Sequence, residues 1–176
     1  MMSVRSITTS ARISFPKRTI TSAKKNGQRI NVKVPTHIAG VMDFVSGAIG
    51  TLTTSFDVWA SEAPRIEIFG SEGSLAVPDP NEFGGPVRLR LKGEKEWREM
   101  PLTSGIPVNG RGIGPSDMAE AIRTGRPHRA NGAMAYHVLD IMHAFHDASN
   151  ADSHVNLEST CERPEPMPLG MFDGQW

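Results

Sequence analysis

The sequence predicts an α+β fold, in which an open, mostly antiparallel meander sheet carries two helices packed on one of its faces. Apolar and polar residues alternate through residues 6–15 and much of 28–102, and helical patterns follow at 115–125 and 131–150. Strands do not alternate with helices, as a doubly wound parallel sheet would require. A run of strands followed by helices is typical of α+β domains.

The first predicted strand combines strict alternation with a basic composition. Its apolar face would hold Ile7, Thr9, Ala11, Ile13 and Phe15, and its polar face Ser6, Thr8, Ser10, Arg12 and Ser14. Up to Met42 the chain has eight basic residues and no acidic one. Such a start is also typical of a transit peptide or of a basic arm that binds nucleic acid. The period of two favours a strand, and we expect no nucleic-acid partner.

The middle of the chain predicts further strands joined by turns. "IEIFGSEGSLAV" (66–77) predicts two strands and a tight turn, in which Gly70 and Gly73 are expected to adopt φ > 0. "PDPNEFGGP" (78–86) predicts a rigid excursion in which the Asp79 and Asn81 side chains cap the turn. "VRLRLKG" (87–93) predicts a strand with "EKEWREMPL" as its hairpin partner. One sheet face is apolar. The other is rich in Thr, Ser and Arg, and is either solvated or an interface.

Two helices are predicted after the strands. The first starts at Pro115, where Ser116 or Asp117 would cap the free N–H groups, and ends at Gly125. The second covers 131–150, with an apolar stripe of Met134, Val138, Ile141, Met142 and Phe145. On this second helix His137, Asp140, His143 and Asp147 are expected on the polar face.

Composition excludes several classes of protein. The 176 residues have a formal net charge of zero and a single cysteine, Cys161, so no disulfide can close within the chain, and the cytoplasm is the expected location. No apolar run approaches the roughly 20 residues that span a bilayer, and no signal peptide is visible, so we expect no membrane partner.

The glycines, acids and histidines of the chain suggest several kinds of chemical site. "GRGIGPSDM" (110–118) precedes a helix but lacks the G-x-G-x-x-G spacing, so it favours capture of some other anion beside Arg111 over a nucleotide. A metal cage from Asp57, Glu72, Asp79 and Glu82, or from Asp140, His143, His146 and Asp147, is less favoured than solvated acids and a polar helix face. No G-x-S-x-G elbow is present. We therefore assign no catalytic, cofactor-binding or metal-binding residue.

Two segments carry a family resemblance. The G-x-E-G-x-L turn (Gly70, Glu72, Gly73, Leu75) and "DMAEAIRTGRPHRANG" (117–132) are similar to the C-terminal domain of the glucose-fructose oxidoreductase / inositol dehydrogenase (Gfo/Idh/MocA) family. The resemblance covers about residues 4–168. We expect residues 1–168 to form one domain, with 169–176 as an extended tail.

The resemblance implies an NAD(P)-dependent sugar or polyol oxidoreductase whose second domain walls the substrate pocket and forms a homodimer through its sheet. The family's nucleotide fingerprint, E-K-P lysine and D-x-x-x-H helix are missing from these residues. NAD or NADP is therefore implied only for the full-length family, and this chain alone is expected to be inactive. A separate Rossmann domain could supply the missing nucleotide-binding part of the enzyme. The alternative is a stand-alone carbohydrate-binding or protein-interaction module.

Candidate substrate-binding residues are polar and lie on loops beside the ends of predicted helices or strands, where pockets tend to form. They are Arg111, Asp117, His128, Asp79 and Asn81. The expected ligand is a small sugar or polyol.

Overall fold

The structure is a computed structural model that describes residues 3–81, 84–102 and 111–168. Its secondary structure is α+β with antiparallel sheets, which confirms the predicted fold class. The chain divides into two compact units. The first takes its described residues from 1–60 and 131–163, and the second from 61–130 and 164–168. The predicted tail, 169–176, lies outside the described residues.

The first unit is built on a four-stranded sheet with the order β10-β1-β4-β5. Its strands are β1 (Val4–Arg12), β4 (His37–Phe44), β5 (Ile49–Ser55) and β10 (Val155–Asn156). Every neighbouring pair is antiparallel. Between β1 and β4 the chain forms a separate hairpin of β2 (Lys17–Thr19) and β3 (Arg29–Asn31), with a 3₁₀ turn at Ala23–Lys25. The alternation of apolar and polar residues did not predict that the strands divide between separate sheets.

Helix α2 (Gly132–Ala151) covers one face of this sheet. It begins where the sequence predicts, because the Asn131 side chain accepts a hydrogen bond from the Met134 N–H at 2.9 Å. The core between helix and strands contains Val4, Ile7, Ala144, Phe145 and Ala148, with Ile38, Met42 and Phe44 packed against it. The predicted inward face of β1 is confirmed at Ile7, which is fully buried while Thr8 and Ser10 are exposed. It was wrong for Ile13 and Phe15, which lie beyond the end of β1 and are exposed.

The buried face of α2 differs from the predicted stripe by a rotation. The side chains turned to the sheet are His137, Ile141, Ala144, Phe145 and Ala148, which repeat the predicted spacing three residues later along the chain. Val138 and Met142 are 49% and 60% exposed, so their assignment to the core was wrong. Alanines at positions 144 and 148 let the helix approach the strands closely, and hydropathy alone does not favour that face.

The second unit contains a four-stranded antiparallel meander, β6-β7-β8-β9. Its strands are β6 (Ile66–Phe69), β7 (Gly73–Val77), β8 (Val87–Leu91) and β9 (Arg98–Met100). Ile68, Leu75 and Leu89 lie opposite one another in register, so their side chains share one face. The predicted hairpins of this segment are therefore confirmed.

The glycines of the β6–β7 turn have a different role from the one predicted. Positive φ angles occur at Gly85 and Gly93 but not at Gly70 or Gly73, so that expectation was wrong. A Cβ atom on Gly73 would collide with the carbonyl oxygen of Arg90 on the neighbouring strand. Gly73 is needed because the two backbones approach closely, and not because the turn is left-handed.

Helix α1 (Ile113–Thr124) lies in the second unit. It ends as predicted at Gly125, whose φ of 73° is left-handed. Its start differs: the helix begins at Ile113, two residues before the predicted Pro115, and Gly112 occupies the N-cap without a side-chain hydrogen bond. Asp117 does not cap the helix, because its carboxylate is used by arginines further along the chain. Among the described residues, no helix combines the length and the hydropathy needed to cross a membrane.

Candidate functional site

The first candidate surface is the side of the first sheet that faces away from α2. Because antiparallel partners point to the same side, the register sets out four rows across β1, β4 and β5. The rows are Arg12–His37–Ser55, Ser10–Ala39–Thr53, Thr8–Val41–Thr51 and Ser6–Asp43–Ile49. These twelve residues are called the open face below. Ile49 is 73% exposed and Val41 39%, so apolar as well as polar groups are available to a partner.

Short hydrogen bonds order several side chains of the open face. Ser6 Oγ donates to the Asp43 carboxylate at 3.1 Å, and His37 Nδ1 lies 2.9 Å from Ser55 Oγ. At the β10 edge, Thr8 Oγ1 lies 2.6 Å from His154 Nδ1. The face is therefore lined by short, ordered side chains. Such a surface loses little conformational entropy when another protein covers it.

The second candidate surface brings together three of the predicted substrate-binding residues. Arg111 Nη2 donates to Asn81 Oδ1 at 2.9 Å. Asp79 Oδ1 accepts from the Asn81 backbone N–H, also at 2.9 Å, which confirms that Asp79 orders this turn. Asp79 also lies 3.7 Å from Arg65. The cluster presents a guanidinium, an amide and a carboxylate, and these groups donate to and accept from hydroxyl groups.

Asp117, a fourth candidate, forms a buried clamp in the same unit. Its oxygens accept hydrogen bonds from the Arg129 backbone N–H at 2.8 Å, from Arg126 Nη2 at 2.7 Å and from Arg129 Nη1. Burial by itself would raise the pKa of this carboxyl, but the hydrogen bonds from Arg129 and Arg126 outweigh burial and lower the pKa to about 2. Asp117 is therefore an anion at neutral pH that holds residues 126–129 against α1.

His128, the fifth candidate, lies between these two clamped arginines and is half-buried. Its position is fixed on both sides, because Arg126 and Arg129 bind the same carboxylate. Arg129 also donates to the backbone oxygens of Glu165 and Pro166, at 2.9 and 3.0 Å. The sequence did not predict this anchoring of the chain after residue 164.

A buried polar network in the first unit was also missed. His137 is 2% exposed, so its assignment to the polar face of the helix was wrong. Its Nε2 accepts the Val4 N–H at 3.2 Å, and its Nδ1 lies 2.8 Å from Ser159 Oγ, which donates to Asp140 at 2.5 Å. Since a backbone N–H can only donate, the imidazole proton is on Nδ1. The three side chains resemble a nucleophilic triad in type only, because the basic nitrogen is already occupied.

A second acid of the first unit, Asp57, also serves the fold. It accepts from Thr36 Oγ1 at 2.6 Å and pairs with Arg18. The hydrogen bond from Thr36 is the largest effect on the Asp57 carboxyl, and together with those from Ser14 and Arg18 it lowers the pKa against a smaller opposing effect of burial. These contacts attach β2 to the loop after β5.

The metal hypotheses gain no support from the part of the chain that the structure describes. Within 3–81, 84–102 and 111–168, no three or more His, Cys, Asp or Glu side chains are grouped so that they could hold a metal ion. Glu82, from the first metal hypothesis, and Gly110, from the segment proposed to bind an anion, lie outside those residues. Arg111, proposed beside an anion, is bound to Asn81.

Residues 3–76 match the model of the GFO/IDH/MocA C-terminal domain. This match confirms the predicted resemblance to the C-terminal domain of that family. No curated protein matches the chain in sequence.

Solved structures share the fold at low sequence identity. Levoglucosan dehydrogenase in its apo form superposes with a TM-score of 0.70 at 18% identity, covering 90% of this chain and 47% of that one. An oxidoreductase domain protein from Kribbella flavida gives 0.66 at 19% identity, covering 89% and 46%. An aldose-aldose oxidoreductase from Caulobacter crescentus, complexed with glycerol, gives 0.63 at 19% identity, covering 89% and 42%. The chain thus spans less than half the length of each of these structures.

Proposed function

We propose that these 176 residues form the substrate-binding and dimerisation domain of an NAD(P)-dependent sugar or polyol oxidoreductase. The observation that carries this proposal is the match of residues 3–76 to the family's C-terminal domain. The fold extends the likeness over 90% of the chain. Among similar structures are levoglucosan dehydrogenase with NADH and levoglucosan, and an aldose-aldose oxidoreductase with glycerol, so a small polyhydroxy compound is the substrate class that we propose.

The nucleotide does not fit the described residues. Dinucleotides are held where a parallel strand leads through a glycine-rich turn into a helix N-terminus. Here every paired strand in the described sheets is antiparallel to its neighbour. We therefore assign nucleotide binding and proton transfer to a Rossmann domain outside these residues, and expect this chain to be inactive by itself. The single free Cys161 supports a reducing, cytoplasmic location.

We assign substrate contact to the cluster of Asp79, Asn81 and Arg111, with His128 as a further contact. Its polar groups lie on turns and at a helix start, and a sugar hydroxyl would replace one of their mutual hydrogen bonds. Asp117 would not contact the substrate itself, because its oxygens already accept hydrogen bonds from Arg126 and Arg129. It would hold the loop that carries His128.

Isothermal titration of the whole 176-residue chain with glycerol, levoglucosan, glucose and inositol tests the substrate part. We expect millimolar binding of at least one compound, weakened at least fivefold by Arg111→Gln. Arg123→Gln is the matched control, since Arg123 lies on α1, the helix that follows Arg111, and pairs with Glu120; it should leave binding unchanged. If none of the compounds binds at 50-fold excess, or if both variants behave alike, the assignment to this cluster is wrong.

Fluorescence titration with NADH and NADPH tests the nucleotide part. We expect no saturable binding up to roughly millimolar nucleotide, because in the described residues no parallel strand leads through a glycine-rich turn into a helix N-terminus. Micromolar binding of either nucleotide would refute the assignment of nucleotide binding to a Rossmann domain outside these residues.

A further inference from the structure

We infer that the substrate of the cluster of Asp79, Asn81 and Arg111 is a sugar acid, a polyhydroxy compound with a carboxylate, and that Arg111 binds this carboxylate. The inference rests on the proposed function, in which the same cluster contacts the substrate. It adds the charge of the substrate and the direction in which the substrate lies on the cluster.

The β6–β7 hairpin places an arginine beside the acid of the cluster. Ile66 and Val77 are opposite one another in the register, so the residues just before β6 and just after β7 lie at the same end of the hairpin. Arg65 is at that end, and its Nε lies 3.7 Å from Asp79 Oδ2. The negative charge of Asp79 therefore has a positive partner next to the turn.

Arg111 has a partner of a different kind. Its Nη2 donates to the side-chain oxygen of Asn81 at 2.9 Å, and that oxygen belongs to an uncharged amide. By contrast, Arg126 and Arg129 of the same unit both pair with the carboxylate of Asp117. Among the described residues of this unit, the ion pairs do not include Arg111.

The cluster therefore favours an anionic ligand. Counted with Arg65, its described residues have two guanidinium groups and one carboxylate, and so one positive charge in excess. A guanidinium has five N–H donors in one plane, and a pair of them matches the two oxygens of a carboxylate. Arg111 is exposed, so a ligand can reach it. A carboxylate is a stronger acceptor for it than the neutral hydroxyl of a sugar.

The rest of the cluster suits hydroxyl groups. The Asp79 carboxylate accepts hydrogen bonds, and the Asn81 amide both donates and accepts them. An acid group placed beside Asp79 would be repelled by its charge, whereas a hydroxyl there can donate to it. The carboxylate of the substrate therefore lies toward Arg111 and its hydroxyls toward Asp79. A simple anion lacks the hydroxyls for this arrangement, and a neutral sugar lacks the charge.

Isothermal titration of the whole chain at neutral pH with matched pairs of compounds tests the charge. Gluconate and sorbitol have the same carbon chain, which ends in a carboxylate in one and in a hydroxymethyl group in the other. Glucuronate and glucose differ in the same way on a ring. In about 20 mM salt we expect the acid of at least one pair to bind at least fivefold more tightly than its neutral partner. Because the cluster is exposed, this ratio should fall toward one in about 500 mM salt.

Variants of Arg111 test which residue recognises the acid. Arg111→Gln removes the charge but keeps a donor for Asn81, and it should lower the ratio in low salt to below about twofold. Arg111→Lys keeps the charge without the paired donors, so it should keep part of the preference for the acid. Arg123→Gln, which removes an arginine that pairs with Glu120 on α1, is the control and should leave the ratio unchanged. Circular dichroism verifies that each variant is folded.

The outcomes separate this inference from the proposed function. If the neutral compounds bind as tightly as the acids, or if Arg111→Gln keeps the full preference, Arg111 does not recognise a carboxylate and the proposed function stands. If acetate binds as tightly as gluconate, the cluster holds any small anion and the assignment to a sugar acid is wrong. If none of the compounds binds, the assignment of the substrate to this cluster fails together with the inference.

Discussion

Asp117 shows how one side chain ties a helix to the loop that follows it. Its carboxylate is 5% exposed and binds both Arg126 and Arg129. A buried carboxylate held by several donors is costly to lose, because the arginines would remain without a partner. The residue that sequence reasoning offered as a substrate ligand thus has a demonstrated set of partners within the chain.

We predict that Asp117→Asn lowers the free energy of unfolding by roughly 2 kcal/mol at pH 7, the order expected for charged hydrogen bonds. The Asp117 pKa falls from 3.8 to about 2 on folding, so the ionised form stabilises the fold above about pH 4. That stabilisation is lost as the pH falls toward 2, and about half of it should be gone near pH 3. Urea unfolding of wild type and variant between pH 3 and pH 7 measures the difference.

Glu120→Gln is the control for this prediction, because Glu120 pairs with Arg123 one turn along α1 at the surface. Its urea midpoint should stay close to that of wild type. A difference between wild type and Asp117→Asn that stays constant from pH 7 to pH 3 would show that the charge of Asp117 does not stabilise the fold.

At the same scale, the limits of sequence reasoning are clearest for His137. Histidine on a helix is usually solvated, and its neighbours Asp140 and His143 are polar, so position alone favours the outer face. The structure buries it because Val4, 133 positions earlier, offers a backbone N–H that needs an acceptor. Nothing in the local pattern carries that information. By contrast, the turn formed by Asp79 and Asn81 is a local hydrogen bond and was predicted correctly.

At the scale of elements, strand β4 lies between two strands and under a helix. Gly40 occupies its centre. A Cβ atom there would lie 2.6 Å from the Thr8 carbonyl oxygen and 2.8 Å from the Phe145 ring. The absence of a side chain at position 40 is therefore what lets α2 place Phe145 directly on the sheet.

We predict that Gly40→Ala lowers the free energy of unfolding by about 1–3 kcal/mol, the usual effect of overpacking a core. The clash involves backbone and a core ring, so it cannot be relieved by a side-chain rotation alone. Thermal unfolding followed by circular dichroism measures the loss.

Gly132→Ala is the control for the Gly40 variant. Gly132 begins α2, and an added Cβ there meets no atom within 4 Å. Alanine is the better helix former, so the control should be neutral or more stable by up to about 1 kcal/mol. Equal melting temperatures for wild type and Gly40→Ala would mean that the helix and sheet are not packed as closely as described.

At the scale of the whole molecule, residues from the two ends of the described chain meet in the first unit. Ser3 is fully buried, and its hydroxyl donates to the Cys161 carbonyl at 3.0 Å and accepts the Cys161 N–H at 3.1 Å. Leu157 extends the contact by donating its N–H to the Arg5 carbonyl. A short segment that follows α2 is thus hydrogen-bonded to the first described residues of the chain, at the edge of the sheet.

We predict that Ser3→Ala lowers the free energy of unfolding by about 1–3 kcal/mol, because one hydroxyl satisfies two backbone groups of Cys161. The Cys161 amide should exchange with solvent deuterium at least tenfold faster, as measured by NMR. Ser153→Ala, at an exposed position after α2, is the control and should leave that rate unchanged. If the Cys161 amide exchanges faster in both variants, the cause is general destabilisation and not the loss of the hydrogen bonds between Ser3 and Cys161.

The sequence alone determined the fold class, the strand alternation, the end of α1 at Gly125 and the family resemblance. Each depends on periodicity or turn chemistry within a few residues, and these act locally. Only the tertiary structure decided which face of α2 is buried, which arginines bind Asp117, and how Arg12 and Asp43 come to lie at opposite ends of one face. These features depend on contacts between residues distant along the chain, and local patterns do not encode which distant groups will meet.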